Sequence, residues 1–238
     1  GMVVQVEYPC FASGEPRRLA AKTVGGVASA LRQRLAGVVA RPLDVDALMR
    51  RTKRLRVNGR VLNVAWDVDH PVHDDGGEAV LGVCEHDPAE PGTVMISLNG
   101  EVLQDQPELL RSTAVHELGH AVFDMPAALT AGSARAFRSG LKAPAKDAPI
   151  DWREWRADEF MGAFLAPKRQ LARAFAREAS ALGATIRWNV VDEIPTPCIA
   201  AKEVGGSEID AIACALAEEF GVSESFMGVR FRKYRLVC

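Results

Sequence analysis

Residues 115–122 read VHELGHAV, inside the run DQPELLRSTAVHELGHAVF at 105–123. How this run is read decides the fold, because a third partner and a supporting sheet must be found around it. Positions four apart on an α-helix share a face, about one turn apart. His116 and His120 can then offer two imidazoles to one ion, and neutral imidazole binds zinc at about 2.0–2.1 Å. A catalytic zinc takes three protein ligands and keeps one position open for water. Glu117 would stand beside that water as general base, while the metal lowers the water's pKa from about 15.7 toward 7 and polarises the scissile carbonyl. The competing reading is two ordinary histidines on an exposed helix, since short motifs also arise by chance. Three features oppose it. Ala114, Val115, Leu118, Ala121 and Val122 make the flanks apolar, Gly119 spares the site a bulky neighbour, and two of the chain's five histidines fall here.

The third ligand must come from elsewhere, and Glu154 in EWRAD (154–158) is the first candidate. Glu154 and Asp158 are four apart on the next long helix. A glutamate there can coordinate while Asp158 accepts a hydrogen bond from a ligating histidine, which orients the ring. DWRE at 151–154 is also a capping-box pattern, so Glu154 has a second possible role at its own helix terminus. Glu159 is the fallback ligand. His70, His73 and His86 offer an all-histidine alternative, although they fall in stretches that read as upstream loops.

Outward from this core, RRLAAKTVGGVASALRQRLAGVVA (17–40) reads as a helix with apolar residues at Leu19, Val24, Val27, Leu31 and Leu35. PLDVDALMRRT holds a short second helix capped by Asp44. RVLNVAWDV (60–68), AVLGVCEH (79–86) and TVMISLN (93–99) are Val-rich, partly alternating and separated by turn residues, so they predict three strands of a small antiparallel sheet. The helix at 105–123 opens on a capping-box-like Asp105 and Glu108, with Pro107 in its first turn, and Pro126 ends it. Residues 126–150, rich in Ala, Gly, Ser and Pro, predict a mobile loop or a loop holding one short helix, and a possible lid. DWREWRADEFMGAFLAP and KRQLARAFAREASAL are helical, DEIPTPCIAAKEVGG (192–206) is irregular, and a helix pair closes the chain. Ser223 caps its second member, with Val222 and Met227 placed for a hydrophobic staple.

A net charge of −2 gives no global field toward nucleic acid or an anionic membrane. No run approaches the roughly 18 apolar residues of a span, and the N-terminus lacks the basic-then-apolar order of a signal peptide. The five cysteines are scattered and odd in number, which argues against a disulfide framework or a thiolate zinc site. A soluble, cytoplasmic protein is expected.

MISLN, RSTAVHELGHAVF, EWRADEFMGAFLAP and LAEEFGVSESFMGVRFRKY together resemble the ImmA/IrrE family of metallopeptidases. That family pairs an H-E-x-x-H helix with a downstream E-x-x-A-N-x-F-A-x-x-L-L-M-P helix. Glu154, Ala157, Phe160, Leu165 and Pro167 match it; Asp158 stands where Asn is common, Met161 where Ala is, Phe164 where Leu is and Ala166 where Met is. Asp158 shifts the pattern toward the E-x-x-x-D of thermolysin-like enzymes. The resemblance implies an α+β, zincin-like metallopeptidase with a small antiparallel or mixed sheet, an active-site helix and a C-terminal helical cap. It implies metal ligands His116, His120 and Glu154, base Glu117, zinc as cofactor with manganese as an alternative, and a helix-turn-helix repressor as the protein substrate. Strand 93–99 would be the edge strand beside the cleft, holding substrate by strand addition. Arg230 and Tyr234 are the candidates for stabilising the oxyanion. The implied layout is a tail at 1–16, a peptidase domain at 17–186 and a helical pair at 187–238.

The last helix pair supports a second class, a DNA-binding or scaffold regulator with a helix-turn-helix and a vestigial metal site. Arg230, Arg232, Lys233 and Arg235 could neutralise phosphates. The preceding helix is acidic, however, and the basic run sits late, whereas a recognition helix reads bases with its N-terminal half. Nucleic acid is therefore not the expected partner, and neither is a membrane.

Overall fold

A computed structural model describes residues 3–37, 41–141, 149–203 and 205–238. The chain divides into two compact units. One is built from the residues up to Gly37 with Asp44–Phe164, the other from Leu165–Cys238 with the short approach ending at Leu43. The division falls earlier in the chain than the expected start of a C-terminal element at 187.

The first unit is α+β around a six-stranded mixed sheet. In chain order it holds β1 (Val4–Val6), α1 (Ala21–Leu35), α2 (Val45–Arg51), β2 (Arg54–Val57), β3 (Arg60–Asp67), β4 (Val80–His86), β5 (Thr93–Leu98), α3 (Gly100–Leu103), α4 (Pro107–Phe123), α5 (Met125–Ala131), β6 (Arg135–Gly140) and α6 (Trp152–Leu165). The sheet order is β1-β2-β3-β5-β4-β6. Asp44 caps α2 as the sequence predicts, accepting from the Ala47 N–H at 2.8 Å. The helix expected over 17–40 is shorter, and residues 38–40 lie outside the described residues.

Three expected strands form where the Val-rich alternation places them, but their arrangement differs. β5 runs parallel to β3 and antiparallel to β4, so it lies inside the sheet and residues 93–99 are not an edge strand. Three further strands join. β2 turns into β3 through Asn58 and Gly59, both at positive φ, a two-residue turn that Asn-Gly favours. β1 adds parallel to β2, with Val4 and Val6 buried, so the N-terminal residues take part in the sheet. The stretch from Pro126, expected to be a loop or a loop holding one short helix, supplies the short helix α5 and, unexpectedly, β6; its residues 142–148 lie outside the described residues.

α4 packs on β4, β5 and β6. From Thr113 to Phe123 every residue is buried, so the helix is enclosed rather than amphipathic. Its N-cap is Gln106, not Asp105, and no side-chain cap bond forms; Pro107 takes the first turn as expected. The helix stops at Asp124, and Pro126 opens α5 instead of terminating α4.

The second unit holds α7 (Lys168–Ala181), β7 (Arg187–Val191), β8 (Ile194–Cys198), α8 (Gly206–Phe220) and α9 (Glu224–Tyr234). β7 and β8 form an antiparallel hairpin; β8 falls in the stretch the sequence predicts to be irregular, with Pro195 and Pro197 hiding the strand pattern. Ser223 caps α9, accepting from the Phe226 N–H at 3.1 Å. Cys198 and Cys238 are joined in a disulfide, a single bridge that the reading against a disulfide framework did not anticipate. No helix among the described residues is long and apolar enough to cross a membrane.

Candidate metal centre

The enclosure of α4 makes its polar residues costly. A buried ion loses several kcal/mol of hydration unless it is paired, yet Glu117 and His120 are fully buried and His116 nearly so. The two histidines find carboxylate partners on α6. Gly119 permits this, because an added Cβ would meet Ala157 Cα at 3.1 Å and the Phe160 ring at 3.3 Å. With no side chain in the way, α6 crosses close to α4 and brings Glu154 over both rings. The Glu154 carboxylate lies 3.2 Å from His116 Nε2 and 3.3 Å from His120 Nε2, and the two Nε2 atoms are 3.2 Å apart. Glu154 thus turns toward the histidines, while Asp151 accepts from the Arg153 N–H at 2.8 Å at the start of α6.

Each imidazole is held from behind. His116 Nδ1 donates to Asp158 Oδ1 at 3.1 Å, the position read for Asp158 from the sequence. His120 Nδ1 donates to Asp124 Oδ2 at 2.9 Å, and Asp124 in turn pairs with Arg156 at 2.5 Å. With both Nδ1 atoms engaged, both Nε2 atoms face Glu154 and each other and are the atoms a metal would replace protons on, as metal-ligating histidines with carboxylate partners are arranged. His116, His120 and Glu154 offer ligand atoms that all lie within 4.8 Å of one another, and this cluster can hold a metal ion. Two imidazoles and one carboxylate are the donor set of a zinc site with an open position.

No family model, curated protein or solved structure matches the chain. The site is therefore defined by its own geometry and chemistry.

Electrostatically the cluster is tightly coupled. Burial pulls His116 down, but the carboxylates of Asp158 and Glu154 outweigh it and hold the ring up at about 10. Burial likewise opposes His120, which Asp124 and Glu154 hold up at about 9. Burial pushes Glu154 up, yet the two imidazoles win and hold it well below the usual carboxylate range. Glu117 is raised above its ordinary value by burial, against the pull of His120 and His116. A carboxyl raised in this way is a better proton acceptor near neutral pH.

Glu117 leaves the ligand cluster and turns to the sheet. Its Oε1 accepts from Ser139 Oγ on β6, and its Oε2 is buried with no hydrogen-bond partner among the described residues. Gly82 on β4 makes room: a Cβ there would meet Glu117 Cγ at 3.0 Å and Thr113 Cγ2 at 2.9 Å. Phe137, also on β6, lies flat on the His120 ring, centroids 4.5 Å apart and planes 6° from parallel.

The other sequence candidates are not members of this cluster. Glu159 is buried and is not one of its members. His70 pairs with Asp67, and His86 Nδ1 donates to the Thr93 carbonyl at 2.8 Å. His73 forms a β-bridge with Ala79. Arg230 and Tyr234 belong to the second unit, where the Tyr234 hydroxyl donates to the Ala166 carbonyl at 3.0 Å and Arg230 lies over the Tyr234 ring. Arg230 is buried, which removes one of the four cations expected of a DNA-reading helix. The sequence reading does not reach Asp124, Gly82, Phe137 or Ser139. Asp124 stands four residues after His120, continuing the spacing of the histidines, and Gly82 inside a strand marks a close backbone approach. Ser139 and Phe137 carry no such local mark.

Proposed function

We propose that the protein is a zinc-dependent endopeptidase of the kind the ImmA/IrrE resemblance implies. The observation that carries this is the convergence of His116 Nε2, His120 Nε2 and the Glu154 carboxylate, each histidine backed by its own carboxylate. His116, His120 and Glu154 would hold the ion, with Asp158 and Asp124 fixing the rings. Zinc in such a site supplies Lewis acidity, lowering the pKa of water toward about 7 and polarising a carbonyl. Glu117 is the general base: its raised proton affinity suits it to take a proton from the attacking water and pass it to the leaving amine. The substrate class suggested by the resemblance is a helix-turn-helix repressor cut to relieve transcription, which would place the enzyme in regulation or stress response. Manganese is the alternative metal.

The test is zinc stoichiometry together with Glu117→Gln. The parent protein should bind one equivalent of zinc and hydrolyse a peptide bond. Glu117→Gln should keep the zinc and lose about 10²- to 10⁴-fold in hydrolysis, the share that general-base catalysis supplies. Undiminished cleavage by that variant, or a purified protein that takes up no divalent metal, would rule the reading out.

A further inference from the structure

β6 stands where an extended substrate would be expected. It pairs antiparallel with β4, from His86 opposite Arg135 to Val80 opposite Gly140. Two of its side chains rest on the reacting groups of α4: the Phe137 ring covers His120, and the Ser139 hydroxyl occupies Glu117 Oε1. Beneath this strand Glu117 and His120 are fully buried. A base in that state is enclosed by protein and already holds an internal hydroxyl.

β6 is also the end strand of the sheet beyond β4, held there by that ladder and by ion pairs from Arg135 to Glu15 and Arg138 to Asp75, so lifting it breaks no other strand pairing. None of its six residues is buried, and its sequence, RAFRSG, contains no β-branched residue. β4, by contrast, is buried at Val80, Gly82, Val83, Cys84 and His86. The ladder between them slips in register between Val80 and Gly82, opposite the Ser139 end. Segments with few buried apolar contacts and irregular pairing open at low free energy.

We propose that β6 is an internal stand-in for the substrate. The docking edge of the sheet is β4; an extended polypeptide segment adds to it antiparallel once β6 lifts, and until then the centre is latent. This rests on the endopeptidase reading. Strand addition supplies main-chain hydrogen bonds to any extended sequence. The partner is therefore a flexible or locally unfolded chain, and Phe137 and Ser139 vacate the positions its side chains would take.

Two variants act in opposite directions. Phe137→Gly removes the ring from His120 and weakens the strand. Glu85→Cys with Ala136→Cys places a disulfide across a directly opposed pair of β4 and β6. Strand alternation puts this pair on the face away from Phe137 and Cys84. The zinc-loaded proteins are assayed against denatured casein, and amide exchange of β4 and β6 is followed alongside. Phe137→Gly should hydrolyse casein at least about ten-fold faster than the parent, and the oxidised clamp at least about ten-fold slower than its reduced form, because activity scales with the fraction of open molecules. In the parent, β6 amides should exchange ahead of the β3–β5 ladder, and oxidising the clamp should slow them. Equal casein hydrolysis by clamped, parent and Phe137→Gly proteins overturns the proposal and leaves the peptidase reading standing. Exchange of the β6 amides only together with the β3–β5 core overturns it in the same way. Zinc bound with no hydrolysis by any of them, while β6 opens on its own, sinks the peptidase reading instead.

Discussion

The protons on His116 and His120 control what the cluster does. Without metal, both rings are held in the charged form, at about 10 and about 9, by carboxylates that overcome burial. Groups raised above their ordinary 6.5 contribute stability in full below that value and lose it as pH climbs through 9 and 10. Glu154, held low, contributes in full above 4.5 and loses it as pH falls through its depressed value. The metal-free protein should therefore show its highest melting temperature between 4.5 and 6.5, declining toward pH 10. Zinc needs neutral rings, so binding must expel both protons. Its affinity should rise by about one to two log units per pH unit between pH 6 and 8, measurable by competition titration, whereas rings already neutral would give a flat profile. Asp124→Asn tests the backing of His120 directly. It removes the carboxylate that fixes the ring and leaves Arg156 without its ion-pair partner. Zinc affinity should fall by about ten- to a hundred-fold, the usual cost of losing such a partner.

Between elements, the approach of α4 to α6 determines whether Glu154 reaches the histidines. Gly119→Ala places a Cβ 3.1 Å from the Ala157 backbone, so the helices must part. Thermal denaturation should show a loss of about 1–3 kcal/mol, with weaker zinc binding as Glu154 is drawn away. Gly26→Ala is the control. It lies exposed inside α1, and nothing is within 4 Å of its new Cβ. It should stabilise the protein by about 0.4–1 kcal/mol and leave zinc affinity unchanged. Legibility from sequence also differs element by element. α4 and α6 are legible because apolar residues, a motif and a spacing all agree, and the caps Asp44 and Ser223 sit at true helix starts. β3, β4 and β5 are legible as strands but not in their order, because alternation reports a pleated face and not a neighbour. β6 is invisible: Ala136, Ser139 and Gly140 make it look like loop, and only pairing with β4 makes it a strand. Ser139 and Phe137 escape a sequence reading for that reason.

At the scale of the molecule, all three donors of the cluster come from one compact unit, between Asp44 and Phe164. The second unit has its own closure, in which β8 is tied to the C-terminal residues. Ile199 N–H donates to the Leu236 carbonyl at 3.0 Å, Cys238 N–H to the Ile199 carbonyl at 2.9 Å, and Ala201 N–H to the Cys238 carbonyl at 2.9 Å. The Cys198–Cys238 disulfide locks the same junction and spans 40 residues of sequence. Bridges closing loops of this size contribute about 2–4 kcal/mol, mainly by restricting the unfolded chain. Cys198→Ser with Cys238→Ser should therefore speed amide exchange at Ile199, Ala201 and Cys238 by roughly thirty- to a thousand-fold, since every 1.4 kcal/mol is about ten-fold in an opening equilibrium. Zinc affinity should stay within about two-fold of the parent, because no ligand or orienting carboxylate lies in the altered segment. A large fall in zinc affinity would show that the donor set depends on the second unit, and the cluster would then no longer be a property of the first unit alone.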